Sequence, residues 1–173
     1  RGGARYPARF QLVLAANPCP CGMAVGKGAD CSCTAPVRRR YLQRLSGPLM
    51  DRVDLQVEVL PVSHTAMQQA PGESTERVRE RVQRARAAQA ERLAGTPWRC
   101  NGEVPGPVLR GRLRLPGGAT RLIDRCLDRG SITARGYDRV LRVAWTVADL
   151  DDCGPRQEHV EQAWFLRTLG QAA

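Results

Sequence analysis

FQLVLAA, residues 10 to 16, is the stretch on which the fold turns. Seven nearly unbroken apolar residues are too few for a free-standing helix, and a run of this length suits a strand buried on both faces, as in a parallel sheet. A second segment, DLQVEVL at 54–60, sets Leu55, Val57 and Val59 against Gln56 and Glu58. That period of two suits a half-buried strand near a sheet edge. The opening third of the chain is therefore expected to be α/β, with parallel-sheet strands.

The pattern changes after Pro61. SHTAMQQAPGE at 63–73 is a polar linker, and Ser74 is placed to cap a long helix with Val78, Val82, Ala85 and Leu93 on one stripe and Gly95 as its stop. Helical patterns continue at 106–114, 117–129, 133–150 and 156–169, broken by proline and glycine. The expected organisation is a sheet-containing piece over 1–62, a linker over 63–73 and an all-α bundle over 74–173.

Directly after the first apolar run comes NPCPCGMAVGKGADCSCTAP, residues 17–36, with Cys19 and Cys21 separated from Cys31 and Cys33 by nine residues. Two thiol pairs closed by a short loop supply the four tetrahedral ligands of a structural zinc ion. One residue within each pair, rather than the usual two, tightens the chelate. Free thiols packed as small apolar groups and disulfides formed on oxidation are the competing states. GKGAD at 26–30 lacks the first glycine and the hydroxyl residue of a phosphate loop and reads as a turn. Cys100, Cys126 and Cys153 are scattered core or surface positions, and His64 and His159 read as linker or surface residues.

The balance of 27 basic against 17 acidic residues gives a formal charge of +10, and Lys27 is the sole lysine. A guanidinium surface pairs bidentately with phosphate and points to nucleotide or nucleic acid, although an arginine-biased composition produces the same count. No apolar run reaches the roughly 18 residues of a membrane span. A reducing, cytoplasmic setting and no membrane partner are expected, with seven cysteines serving as thiols and ligands rather than a disulfide framework. A chain that opens on Arg1 and enters an apolar run within ten residues is expected to be a piece of a longer one.

Four polar residues stand out. Asn17 follows FQLVLAA, where an amide either caps a strand end or orients a water at a terminal phosphate. Asp51 and Arg52, in SGPLMDRVDL, form a local salt bridge or present an arginine to a neighbouring subunit. Arg135 lies in the first turn of a helix, where backbone N–H groups favour anions. On that helix Arg139 and Arg142 read as a solvated stripe, and Tyr137, Trp145 and Trp164 as core.

YPARFQLVLAANPCPCG at 6–22, CSCT at 31–34, RRRYLQRLSGPLMDRVDLQVEV at 38–59 and SITARGYDRVLRVAWTVADL at 131–150 together resemble the C-terminal half of the Mg-chelatase-like AAA+ ATPases of the ComM/YifB subfamily. The resemblance covers nearly the whole chain. It implies a partial AAA+ core followed by a helical lid, in a ring ATPase, commonly hexameric, that hydrolyses ATP with Mg2+ between subunits. It implies sensor 1 at Asn17, an arginine finger at Arg52 beside Asp51, and sensor 2 at Arg135. The phosphate loop and the magnesium-binding acidic motif of the family do not occur here, so this portion alone should not hydrolyse ATP. Arg1, Arg5 and Arg9 would lie on a pore hairpin that touches DNA; from sequence alone they are a charged terminus. The implied role is branch migration of DNA during natural transformation. A magnesium porphyrin chelatase subunit and a zinc-stabilised nucleic-acid-binding module without a motor are the alternatives.

Overall fold

The computed structural model describes residues 10–25, 30–69 and 72–168, and it divides into two compact units, Arg1–Ser46 and Gly47–Ala173. The described residues contain no strand, so the expected α/β class is overturned. The reason lies in what a strand requires. Alternating or continuous apolar side chains say which faces are buried, but a strand exists only when its N–H and C=O groups find a neighbour. Residues 10–16 make no backbone hydrogen bond among the described residues, and Phe10 and Val13 stay 72% and 81% exposed. In residues 54–60 the backbone bond found is Gln56 N–H to the Leu166 carbonyl, 2.7 Å. Both segments are extended coil.

The first unit holds the cysteine loop and helix α1, Ala35–Leu42, which starts after Thr34 with Pro36 in its first turn and buries no residue. Cys19 is the one fully buried side chain among the described residues of this unit.

The second unit begins with two short turns of helix, α2 (Gly47–Met50) and α3 (His64–Met67), and continues with α4 (Thr75–Arg92), a 3-10 turn at Asn101–Glu103, α5 (Gly106–Arg110), α6 (Arg121–Asp128), α7 (Ala134–Leu150) and α8 (Gln157–Thr168). The caps follow the sequence. Ser74 Oγ accepts from Arg77 N–H at 3.4 Å and Thr133 Oγ1 from Gly136 N–H at 3.0 Å, satisfying first-turn donors that have no partner within the helix. Gly95 and Gly130 end α4 and α6 with φ of 72° and 70°, where a side chain would be strained.

Helix α7 is the axis of the bundle. Tyr137, Val140, Leu141, Ala144, Val147 and Ala148 are buried along it, and Val160 and Ala163 of α8, Ile123 of α6, Leu109 of α5 and Leu93 after α4 join the same core. Trp145 and Trp164 pack against its edge, and Trp145 Nε1 donates to the Leu113 carbonyl at 3.1 Å. Tyr137 donates its hydroxyl to Asp124 at 2.7 Å; burial first, and then that bond, push its pKa up to about 12. His159, expected on the surface, is 1% exposed because its Nδ1 accepts the N–H of Arg156 at 2.8 Å and closes the start of α8. No described helix is long and apolar enough to cross a membrane.

A buried polar network fastens α4 to α7. Arg92 reaches Asp149 with both nitrogens at 2.5 and 2.7 Å and Asn101 at 2.9 Å, and it lies 4.3 Å over the Trp145 ring. Asn101 completes the set with Asp149 and Thr146, both at 3.0 Å. Asp149→Ala removes the buried carboxylate that pairs the half-buried Arg92 and is expected to lower stability by about 3 kcal/mol, on the order of 10 °C in a thermal melt followed by circular dichroism. Glu73→Ala, which removes the exposed partner of Arg81, is expected to cost less than about 1 kcal/mol. Equal melting of the two variants would refute this account of the network.

Candidate functional site

A tight turn sets the first cysteine pair. Gly22, at φ 78°, donates its N–H to the Cys19 carbonyl at 3.0 Å, which folds residues 19–22 back on themselves and brings two thiols to one side. The sulfur atoms of Cys19, Cys21, Cys31 and Cys33 all lie within 4.8 Å of one another. Cys19 to Cys21 is 3.3 Å, and Cys31 is 3.7 Å from each. A zinc ion with bonds of about 2.3 Å in a tetrahedron places its sulfurs about 3.8 Å apart, and a disulfide would place two of them at about 2.05 Å. The spacing is compatible with a metal ion, and no pair is bridged in this structure.

The surroundings favour charged sulfur. Ala24 N–H points at Cys19 Sγ from 3.4 Å, and the Arg38 guanidinium is 3.9 Å from Cys31 Sγ. The Met23 backbone N–H, followed by the neighbouring thiols, lowers Cys21 to about 6. Cys33 moves the other way, to about 11: the Cys21 backbone N–H favours its thiolate, but the adjoining Cys21 sulfur and desolvation outweigh it. One thiolate thus forms readily and resists the next, a resistance that a divalent cation held by the four sulfurs would remove. Asn17 stands beside this loop, exposed, with its Nδ2 3.8 Å from where a Cβ on Gly22 would lie.

The other three polar positions lie in the second unit. Helix α2 runs into the MDRVD turn, closed by Asp51 N–H to the Gly47 carbonyl at 2.8 Å and Arg52 N–H to the Leu49 carbonyl at 2.9 Å. Arg52 is exposed and donates to the Pro48 carbonyl at 2.6 Å. It makes no salt bridge with Asp51, whose Oδ1 instead accepts from Arg167 Nη2 at 2.8 Å. Arg135, 58% exposed in the first turn of α7, is 3.8 Å from Asp51 Oδ2. Asp51 thus brings Arg135 and Arg167 to one carboxylate, next in sequence to Arg52. Arg1, Arg5 and Arg9, and residues 26–29 of GKGAD, lie outside the described residues.

Arg167 is the residue that the sequence hid. It reads as an ordinary cation at a helix C-terminus, yet its side chain is 8% exposed. The stripe reading of α7 also changes. Arg139 donates to the Arg52 carbonyl at 2.7 Å and pairs with Asp54, and Arg142 grips the Val104 carbonyl at 3.0 and 2.9 Å. Both ran short of water because α7 is covered on that side by the returning chain; burial lowers the Arg142 pKa.

Residues 72–167 match the family model described as magnesium chelatase, subunit ChlI C-terminal, and residues 1–67 match that of magnesium chelatase, subunit ChlI. The chain belongs to the magnesium-chelatase-like family. An uncharacterized protein of Mycobacterium tuberculosis is 53% identical over 170 residues, covering 98% of this chain and 33% of the relative. The uncharacterized protein YifB of Escherichia coli is 37% identical over 171 residues, with 95% and 32% covered. The competence protein ComM of Haemophilus influenzae is 34% identical over 172 residues, with 98% and 32% covered. The chain spans about a third of the length of these curated relatives. Within this magnesium-chelatase-like chain the boundary between the two matched models falls between residues 67 and 72, a few residues before the Ser74 cap of α4.

Proposed function

We propose that this chain is the sensor, finger and lid portion of a ring ATPase that remodels DNA. The observation that carries the reading is the exposed Arg52 guanidinium on a turn fixed at both ends, beside an exposed Arg135 at a helix start. Transfer of a terminal phosphoryl group needs positive donors held in place where charge develops, and a neighbour's arginine supplies them without solvent reorganisation. Arg52 stabilises that charge across a subunit interface, Asn17 orients the attacking water, and Arg135 couples the lid to nucleotide state. ATP and Mg2+ supply the phosphoryl group and its charge neutralisation when bound. The ring is homo-oligomeric, in the hexameric form of the resemblance, and Arg1, Arg5 and Arg9 contact DNA phosphates.

Cys19, Cys21, Cys31 and Cys33 hold a structural zinc ion that cross-links the loop and takes no part in the chemistry. The name of the Haemophilus relative, a competence protein, supports natural transformation as the setting, while DNA as the partner and branch migration as the task rest on the subfamily resemblance. Membership in the magnesium chelatase ChlI families favours a second reading, a chelatase motor acting with a tetrapyrrole-binding partner. ATP turnover of the full-length protein decides between them. Branched DNA is expected to raise turnover several-fold, with DNA affinity falling steeply as salt rises, because each phosphate contact releases about one counterion. Turnover indifferent to DNA and raised by a porphyrin-bound subunit would replace the first reading by the second.

A further inference from the structure

The turn that bears Arg52 is fastened to the lid helices by groups that the ATPase reading does not use. Arg167, near the end of α8, donates through Nη1 to the Val53 carbonyl at 3.1 Å and through Nη2 to the Asp51 carbonyl at 3.4 Å and carboxylate at 2.8 Å. Arg139, in the middle of α7, donates to the Arg52 carbonyl at 2.7 Å and pairs with Asp54. Gln56 N–H then binds the Leu166 carbonyl at 2.7 Å, one residue from Arg167. The backbone on both sides of Arg52 is thereby tied to α7 and α8. Its side chain, which reaches only the Pro48 carbonyl of its own turn among the described contacts, is left to move.

The chemistry at these anchors is specific to guanidinium. One planar fork reaches acceptors in different directions, which an ammonium on a flexible stem does not hold simultaneously. The guanidinium passes close to α7: a Cβ on Gly136 would lie 3.4 Å from Arg167 Nη2, an ordinary contact, while its clash would be with Ile132 Cγ1 at 2.7 Å. Arg167 is buried at a desolvation cost that lowers its pKa, and the Asp51 charge offsets part of that. The three bonds to the turn are what offset the desolvation of this cation, so the turn and the α8 terminus hold each other in place.

We infer that Arg167 and Arg139 are positioning residues for Arg52, which makes the finger a passenger of the lid, so that movement of α7 and α8 advances or withdraws it. This rests on the finger reading of Arg52. Misplacing a catalytic group by about an ångström costs up to roughly a hundredfold in rate. Arg167→Met in the full-length protein is therefore expected to lower kcat for ATP roughly ten- to a hundredfold with KM unchanged. Arg167→Lys, which keeps the charge but not the fork, is expected to lose kcat to a similar extent, with circular dichroism confirming that the variant is folded at the assay temperature. On an Arg52→Ala background, Arg167→Met is expected to add nothing, since its effect passes through Arg52.

The outcomes separate the two ideas. Full kcat in Arg167→Met and Arg167→Lys alongside an inactive Arg52→Ala overturns the positioning role and spares the finger. A further fall in the double variant equal to that of Arg167→Met alone also overturns it, because Arg167 would then act elsewhere. Full turnover in Arg52→Ala removes the finger and the positioning role together.

Discussion

Arg52→Ala in the full-length protein is expected to cut ATP turnover by about 10³-fold or more, while nucleotide binding and ring assembly persist. The size follows from what the residue would do. An arginine supplied in trans meets charge that exists only as the phosphoryl group transfers, so its loss is felt in kcat rather than in KM. The structure isolates that effect from folding. The Arg52 side chain is exposed and gives up one bond, to the Pro48 carbonyl, whereas the turn itself is held through backbone carbonyls and Asp51. Removal should shift melting by no more than an exposed substitution ordinarily does, within about 0.5 kcal/mol. Arg52→Lys keeps the charge without the fork and is expected to fall between the two. Unchanged turnover of Arg52→Ala, with wild-type melting, would reject the assignment.

Cys19→Ser is expected to abolish metal binding and to unfold the first unit while the second melts as before. Purified under reducing conditions, the chain should carry one equivalent of zinc, measured by atomic emission, and a chelator should reproduce the effect of the substitution. Among the described residues of that unit only Cys19 is fully buried, and α1 buries nothing. Apolar burial there is too small to offset chain entropy, whereas structural zinc contributes on the order of 10 kcal/mol or more. Hydrogen exchange of the Gly22 and Arg38 amides, bonded at 3.0 Å to the Cys19 and Thr34 carbonyls, should accelerate to that of an open chain. Cys100→Ser should leave the metal in place. Zinc retained at one equivalent in Cys19→Ser would rule out this centre.

What the sequence made legible was local. Ser74, Thr133, Gly95 and Gly130 mark helix ends through interactions within a few residues, and the α7 repeat at Val140, Ala144 and Val147 marks its buried face. The four cysteines were legible because a chelating loop closes on itself. The apolar runs at 10–16 and 54–60 misled because side-chain period carries no information on whether a hydrogen-bonding neighbour is present. Arg139, Arg142 and Arg167 were missed for a related reason: a charge on a helix looks solvated until distant backbone covers it. No spacing within α8 connects Arg167 to Asp51, which is 116 residues away in sequence. His159 escaped similarly, since one imidazole turned onto its own helix start leaves no pattern.

The way α4 is held gives it a mechanical character. Only Ala85 along its 18 residues is buried, and the Arg92 network grips it at the C-terminal end, so the first two turns, through Val82, stand clear of the bundle. Of a rod about 27 Å long, the half from Ala85 onward is held and the half from Ser74 projects as a free arm.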